Sequence, residues 1–256
     1  MIEIRNISFS YGEKAVFSEL SLTLRPGTFY GIVGPNGCGK TTLIRLLAGL
    51  SSPSAGEILL DGTSYSAYGR KEFARSVSLL PQFRSFPSVS VEELVSRGRY
   101  PYLGLTRRET EADREAVALA MRQAGVWELA SRNVGTLSGG ERQRVCTALL
   151  LAQQTPYVLL DEPTTYLDIA HRFALAEDLR RWAEQGKCVV AVLHDLSLAL
   201  RYCDEIAVLN AGRLLGTASG EEWISSGALE EVFGVRCLPV SAGEQRDVIF
   251  LPLQKK

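Results

Sequence analysis

The sequence predicts an α/β fold with a mainly parallel sheet, a small antiparallel β region near the N-terminus and a helical insert. Three observations carry that expectation. Phe29 to Val33, Tyr157 to Leu160 and Cys188 to Leu193 are nearly continuous β-branched or aliphatic runs, as strands covered on both faces must be, and each precedes a helical pattern. Residues 2 to 9 alternate apolar and polar (Ile2, Ile4, then Ile7, Phe9), and Gly56 to Leu60 reads similarly, which suits half-buried antiparallel strands. From about Val91 to Ala152 the periodicity is helical, most clearly over Glu109 to Ala124, with no convincing strand. The expected organisation is one domain over residues 1–256, with a core from 1–84 and 156–227 and a helical part from 85–155. An extension at 228–256 reads as a helix plus short strands and has no assigned role.

Composition narrows the partners. The chain has 256 residues, 46% of them hydrophobic and 22% charged, the balance of a folded globular protein. Lys plus Arg number 28 against 29 Asp plus Glu, so no large single-sign field draws nucleic acid or anionic lipid, and no nucleic-acid partner is expected. No apolar run approaches the roughly 18 residues of a membrane span. Met1 to Arg5 lacks the basic start and apolar stretch of a signal peptide, so a cytoplasmic location is expected. The five cysteines, at 38, 146, 188, 203 and 237, read as reduced thiols because no two have metal-finger spacing and their number is odd.

Gly34-Pro35-Asn36-Gly37-Cys38-Gly39-Lys40-Thr41 fits the P-loop pattern, between the run Phe29 to Val33 and a helical pattern from Thr42 to Leu50. The glycines let successive amides turn inward around phosphate oxygens, and the helix N-terminus adds the positive end of its dipole. Lys40 supplies a point charge to the β and γ phosphates, and Thr41 offers a hydroxyl to Mg²⁺. The motif turns the α/β reading into a P-loop nucleotide-binding fold.

Tyr157 to Leu160 delivers Asp161 and Glu162 to the carboxyl end of a buried strand, where open α/β sheets bind ligands. Asp161 is placed to hold Mg²⁺ and Glu162 to polarise the water that attacks the γ-phosphate. Leu137-Ser138-Gly139-Gly140-Glu141 opens a helical stretch running from Arg142 to Gln153. It reads either as a serine helix cap or as a second anion site made of Ser138, two glycine amides and a helix dipole. Cys38 lies beside Lys40 and a helix N-terminus, both of which lower a thiol pKa, so alkylation there is expected to block ATP binding; the alternative is a small residue that simply fits.

In order and spacing these residues resemble the nucleotide-binding subunit of ATP-binding cassette (ABC) transporters, over roughly residues 1 to 220. The resemblance implies a Mg-dependent ATPase whose helical insert carries the signature motif, Leu137 to Glu141. It makes Lys40, Gln82, Glu162 and His194 catalytic, with Gln82 in the glutamine switch Leu80-Pro81-Gln82 and His194 in the histidine switch Leu193-His194-Asp195. Nucleotide would be held by Tyr11 stacking on adenine, by Gly34, Pro35, Asn36, Gly37, Cys38, Gly39, Lys40, Thr41 and Thr42, and in trans by Ser138, Gly139 and Gly140. Asp168, in Tyr166-Leu167-Asp168, would cross a dimer interface, and Thr41, Gln82 and Asp161 would hold the metal. Glu141 departs from the more frequent glutamine of the family. His171 reads as a solvated residue of the helix that follows.

The implied partners are a second copy of the chain, sandwiching two ATP molecules, an integral membrane permease, and a substrate-binding protein acting through the permease. The chain would sit peripherally on the cytoplasmic face of the membrane. Arg97-Gly98-Arg99-Tyr100-Pro101-Tyr102 and Pro163 to His171 look like the ATPases that import ferric siderophores, haem and cobalamin, which makes a ferric siderophore the leading cargo. Read without that resemblance, Arg97 to Tyr102 is a surface loop with an exposed aromatic. Two alternatives remain: an ABC ATPase for another solute, and a soluble ATP-dependent assembly or regulatory module with no permease and no groove to receive one.

Overall fold

The alternation at the start of the chain builds β1 (Ile2–Tyr11), whose Ile2, Ile4, Ile7 and Phe9 all point inward despite a shift in register after Ile4. In the computed structural model, which describes residues 1–82, 86–104, 108–165, 167–242 and 245–253, β1 pairs antiparallel with β2 (Lys14–Leu24) and β4 (Ala55–Leu60). The short β5 (Thr63–Ser64) completes this sheet in the order β2-β1-β4-β5.

The three apolar runs are β3 (Phe29–Val33), β7 (Tyr157–Asp161) and β8 (Cys188–Val192), each buried along its whole length. They lie in a six-stranded sheet with β6 (Val77–Leu80), β9 (Glu205–Asn210) and β10 (Arg213–Ala218), in the order β10-β9-β3-β8-β7-β6. All pairings are parallel except the edge pair β9–β10. Burial on both faces is visible residue by residue, since successive side chains of a strand point opposite ways. Val189 and Ala191 join one core and Val190 and Val192 the other.

One face packs on α1 (Lys40–Leu47) and on the antiparallel sheet, through Leu43, Leu46, Ile4 and Leu60. The other packs on α6 (Ile169–Glu184) and α7 (Leu196–Tyr202), through Leu175, Leu179 and Leu198. The short α2 (Arg70–Ser76) leads into β6. Beyond β10 come α8 (Gly220–Ser226), α9 (Ala228–Phe233) and a hairpin of β11 (Val235–Ala242) and β12 (Gln245–Pro252), which lean on the second face through Trp223, Leu229, Cys237 and Val248.

Between β6 and β7 the chain is helical: α3 (Val91–Ser96), α4 (Glu111–Gln123) and α5 (Gly139–Gln153). They enclose a core of their own, with Val91, Val117, Met121 and Val145 at its centre. Each begins on a hydroxyl cap, Ser90, Thr110 or Ser138, that takes up an otherwise unpaired first-turn amide. The expected edge at residues 84 and 85 falls outside the described residues.

The segment Arg97 to Tyr102 is not a loose surface loop. Arg99 is buried, paired with Asp113 at 2.9 Å, and donates to the Ala152 carbonyl and to Gln154, each at 2.9 Å. Its guanidinium lies 3.8 Å from the centre of the Tyr102 ring. Burial pushes the Asp113 carboxyl up, but hydrogen bonds from Thr110 and Arg99 outweigh it and hold the group below its ordinary range. Arg75 and Lys71 of α2 donate to the carbonyls of Pro101 and Leu103, at 3.0 and 2.8 Å, and so strap the insert to the core. Only Tyr100 projects outward.

Candidate nucleotide-binding site

The P-loop follows β3 as the spacing requires. Gly34 has φ +155°, and a Cβ there would lie 2.1 Å from the Leu209 carbonyl oxygen. Gly39 has φ +110°, and a Cβ there would strike the Phe17 ring at 2.7 Å. These are positions that only glycine fills. Asn36 and Gly37 form the exposed tip, Pro35 is half-buried beside it, and Thr41 and Thr42 enter the first turn of α1, the former exposed and the latter buried. The Lys40 ammonium is buried and bridges the carbonyls of Gly34 and Pro35 at 2.8 and 3.0 Å. Tyr11 stands at the end of β1 with half its surface open, its ring edge-on to Phe9 at 4.9 Å, which leaves an aromatic face free for stacking.

Cys38 corrects the expectation of a reactive thiol. Its side chain turns inward, within 2.8 Å of where a Gly34 Cβ would stand, and is only 5% exposed. Burial raises its pKa and outweighs the lowering by Lys40 and the backbone amides. The small residue that fits is the reading the structure favours.

At the carboxyl end of the parallel sheet two distant parts of the sequence converge on Glu162. Gln82, just past β6, places its amide nitrogen 2.5 Å from one carboxylate oxygen, and His194, just past β8, places Nε2 2.5 Å from the other. Thr165 adds its hydroxyl at 3.4 Å. Glu162 has φ +51°, a costly conformation for a residue with a Cβ, and the turn that imposes it aims the carboxylate between these partners. Asp161, one residue earlier, is 4% exposed and accepts from the Thr41 hydroxyl at 3.3 Å. Burial pushes its pKa up, aided by the neighbouring Glu162, against the Thr41 hydrogen bond and the charges of His194 and Lys40.

Asp161 and Thr41 therefore offer two hard oxygens beside the P-loop, a donor set that suits Mg²⁺. Among the described residues no group of three or more His, Cys, Asp or Glu could hold a metal. A cation here would complete its shell with phosphate oxygens and water, as Mg²⁺ does.

The signature turn lies elsewhere in the same chain. Ser138 caps α5, accepting from the Glu141 amide at 3.3 Å, while its own amide donates to the Glu141 carboxylate at 2.7 Å. Those hydrogen bonds hold the Glu141 carboxyl below its usual range. Here the departure to glutamate closes a capping box. Ser138 and Gly139 are exposed, Gly140 is half-exposed, and none of the turn's hydrogen bonds reaches the P-loop.

Asp168 caps α6 and is 66% exposed; Tyr166 lies outside the described residues. His171 is not merely solvated, because its Nδ1 sits 2.8 Å from both Asp168 oxygens and its far edge faces Gly140. The sequence held one sign of it, the i,i+3 spacing of an acid at the cap and a histidine one turn on.

Residues 17–165 match the ABC transporter family. The chain is 41% identical to the ferric enterobactin transport ATP-binding protein FepC of Escherichia coli (strain K12), over 96% of this chain and 92% of that protein. It is equally, at 41%, identical to the hemin import ATP-binding protein HmuV of Pseudomonas entomophila (strain L48), over 93% of this chain and 94% of that one. Among solved structures, a chain of an inward-facing ABC transporter assigned to the metal-chelate type superposes with a TM-score of 0.86 at 27% identity, over 99% of this chain and 98% of that chain.

Proposed function

The chain belongs to the ABC transporter family and is an ATP-binding, ATP-hydrolysing member of it, and on that premise we propose that it drives import of a ferric siderophore or a related chelate such as haem through a separate permease. The observation that carries the catalytic reading is the convergence of Gln82, Glu162 and His194. Residues 80 positions apart in the chain meet at one carboxylate beside a P-loop, an arrangement with little structural purpose other than placing that carboxylate.

Glu162 takes a proton from the water that attacks the γ-phosphorus as the bond to ADP breaks. Gln82 and His194 fix the direction of its two oxygens. The P-loop amides wrap the phosphates, and Lys40 exchanges backbone carbonyls for phosphate oxygens. Asp161 and Thr41 would hold Mg²⁺, with Gln82 nearby, and the ion would supply charge neutralisation at the β and γ phosphates. Tyr11 stacks on the base.

The exposed signature turn and Asp168 are read as serving the nucleotide of a second copy. Beside Asp168, Ile169 is 70% exposed, an apolar side chain suited to that interface. A groove of about 690 Å³, lined by Leu50, Tyr65, Tyr68, Phe73, Val77 and Leu79 among others, supports a docked permease and disfavours a module that needs none. Among the described residues no helix is long and apolar enough to cross a membrane. Attachment through the permease, at the cytoplasmic face, goes with the import reading. FepC and HmuV carry different cargoes at the same identity, so the choice between siderophore and haem rests on the permease and binding protein. ATP hydrolysis by the reconstituted complex should rise when its binding protein is loaded with a ferric siderophore. Equal rates with loaded and empty binding protein for every ferric chelate and haem would overturn the cargo assignment.

A further inference from the structure

The chain holds two histidines, and the catalytic reading uses only His194. The other, His171, stands at a junction. The Asp168 carboxylate caps α6 by accepting the His171 backbone amide at 2.9 Å. The same carboxylate is gripped a second time by the His171 ring, Nδ1 lying 2.8 Å from each oxygen. The opposite edge of the ring covers the signature turn so closely that a Cβ on Gly140 would stand 3.1 Å from Nε2 and 3.4 Å from both Cδ2 and Cε1. The next residue, Arg172, donates Nε to the Leu167 carbonyl at 2.9 Å and brings a terminal nitrogen to 4.0 Å from Asp195, the neighbour of His194. The start of α6 is thus tied to the loop before it, to the signature turn and to the histidine switch.

We propose that His171 is a positioning residue that clamps Asp168 and the signature turn into one unit, so that both meet a partner subunit's nucleotide in fixed relation. This rests on the reading that those two segments act in trans. An exposed aspartate with one backbone bond would keep some rotamer freedom; a second bond from a ring wedged against Gly140 removes it, and precise placement of groups around a transferring phosphoryl is what such catalysis depends on. Gly140 then has a packing reason to lack a side chain, beyond its amide.

The test compares ATP hydrolysis by the full chain, assembled with its permease, for the parent, His171→Ala, His171→Asn and Glu162→Gln. His171→Ala leaves the backbone cap intact, so its Tm should stay within about 2 °C of the parent, the scale of a sub-kcal/mol change in a chain of this size. Its kcat should fall about tenfold with KM for ATP within about twofold, because the P-loop contacts are untouched. His171→Asn can return an amide donor to the place of Nδ1 and should recover part of the loss. Parent kcat in His171→Ala overturns the clamp, as does equal loss in Ala and Asn accompanied by a lowered Tm, which marks a merely structural residue. Glu162→Gln separates the two ideas: if it is inactive while His171→Ala is fully active, the clamp fails and the catalytic reading stands; if it hydrolyses ATP at the parent rate, the catalytic reading fails by itself.

Discussion

The P-loop side and the signature side of the candidate site are finished in opposite ways. On the P-loop side the charged groups are turned inward and closed on their own chain: Lys40 on two carbonyls, Asp161 under Thr41, Glu162 between Gln82 and His194. On the signature side the polar groups face outward and cap their own helices, Ser138 with Glu141 and Asp168 with His171, whose ring also holds the Asp168 carboxylate. Burying an ionisable group without a partner is expensive, so the first side has a reason to be complete in one chain. An exposed cap has no such need and stays available to something else. The contrast fits the proposed reading, in which the P-loop side of one chain and the signature side of another complete each site.

That contrast is most severely tested at Glu162. Glu162→Gln should slow hydrolysis about 10² to 10⁴-fold, the usual weight of a general base, while ATP binding measured by calorimetry persists. Hydrolysis at the parent rate would mean that the converging side chains are structural. The next effect addresses the outward half. Lys40→Ala damages only the P-loop side and Ser138→Arg only the signature side, so each variant alone should lose nearly all activity. Mixed in equal amounts, half the dimers pair one of each, and each mixed dimer has one intact composite site, so about a quarter of the parent rate should return. A mixture as dead as its components would show that both halves serve the same chain's nucleotide.

The two sides also differed in how much the sequence disclosed. The P-loop is a continuous motif whose strand and helix flank it within a few residues, so its geometry was readable locally, as were the buried runs that became β3, β7 and β8. The first strand was readable from alternation, but its partner β2 was not, because Glu19 sits at φ +54° and the pairing with β1 shifts register repeatedly. Cys38 misled for the same reason in reverse: its local neighbours lower a thiol pKa, whereas the burial that raises it is tertiary. Arg99 and His171 looked like surface residues. What makes them otherwise is the approach of Asp113 and Ala152 to the one and of Gly140 to the other, contacts that no spacing rule contains.

Arg99 sharpens the comparison by asking what keeps the signature helix in place. It spans the insert, holding Asp113 of α4 and the carbonyl of Ala152 near the end of α5. Arg99→Ala strips the buried Asp113 carboxylate of its counter-charge, leaving it only the Thr110 hydrogen bonds, and should lower stability by about 3 kcal/mol. Arg99→Lys should not restore it, since an ammonium cannot stack flat on Tyr102 while making the same forked contacts. Urea melts followed by circular dichroism would measure both. Because the insert has its own core, the loss should fall first on the helical signal, with the parallel sheet melting later. A single unshifted transition would refute the idea that Arg99 anchors the insert.

The smallest effect comes from the carboxylates, whose pKa shifts run in opposite directions on the two sides. Asp161 is pushed up by burial, whereas backbone hydrogen bonds at helix caps hold Glu141 and Asp168 down. For a group raised on folding, the favourable contribution is present below its unfolded value, about 3.9 for Asp, and is lost as pH climbs through the raised folded value. For a lowered group it is present above the unfolded value and lost as pH falls through the lowered one, so the caps fail only in acid below about pH 4. At neutral pH, ionised Asp161 is therefore a cost to the fold. Asp161→Asn removes the charge without changing the volume. If the relief is about 1 kcal/mol, Tm at pH 7 should rise by about 2 to 4 °C, and the gain should shrink as pH falls through the raised folded value towards the unfolded one. Adding Mg²⁺ and ATP should stabilise the parent more than Asp161→Asn, closing or reversing the gap between them. Asp168→Asn should do the opposite at neutral pH, with a small fall in Tm, because it weakens an exposed cap and its grip on His171. A gain in Asp161→Asn that stayed constant from pH 4 to 7 would point to packing and leave the buried carboxylate with no distinctive role.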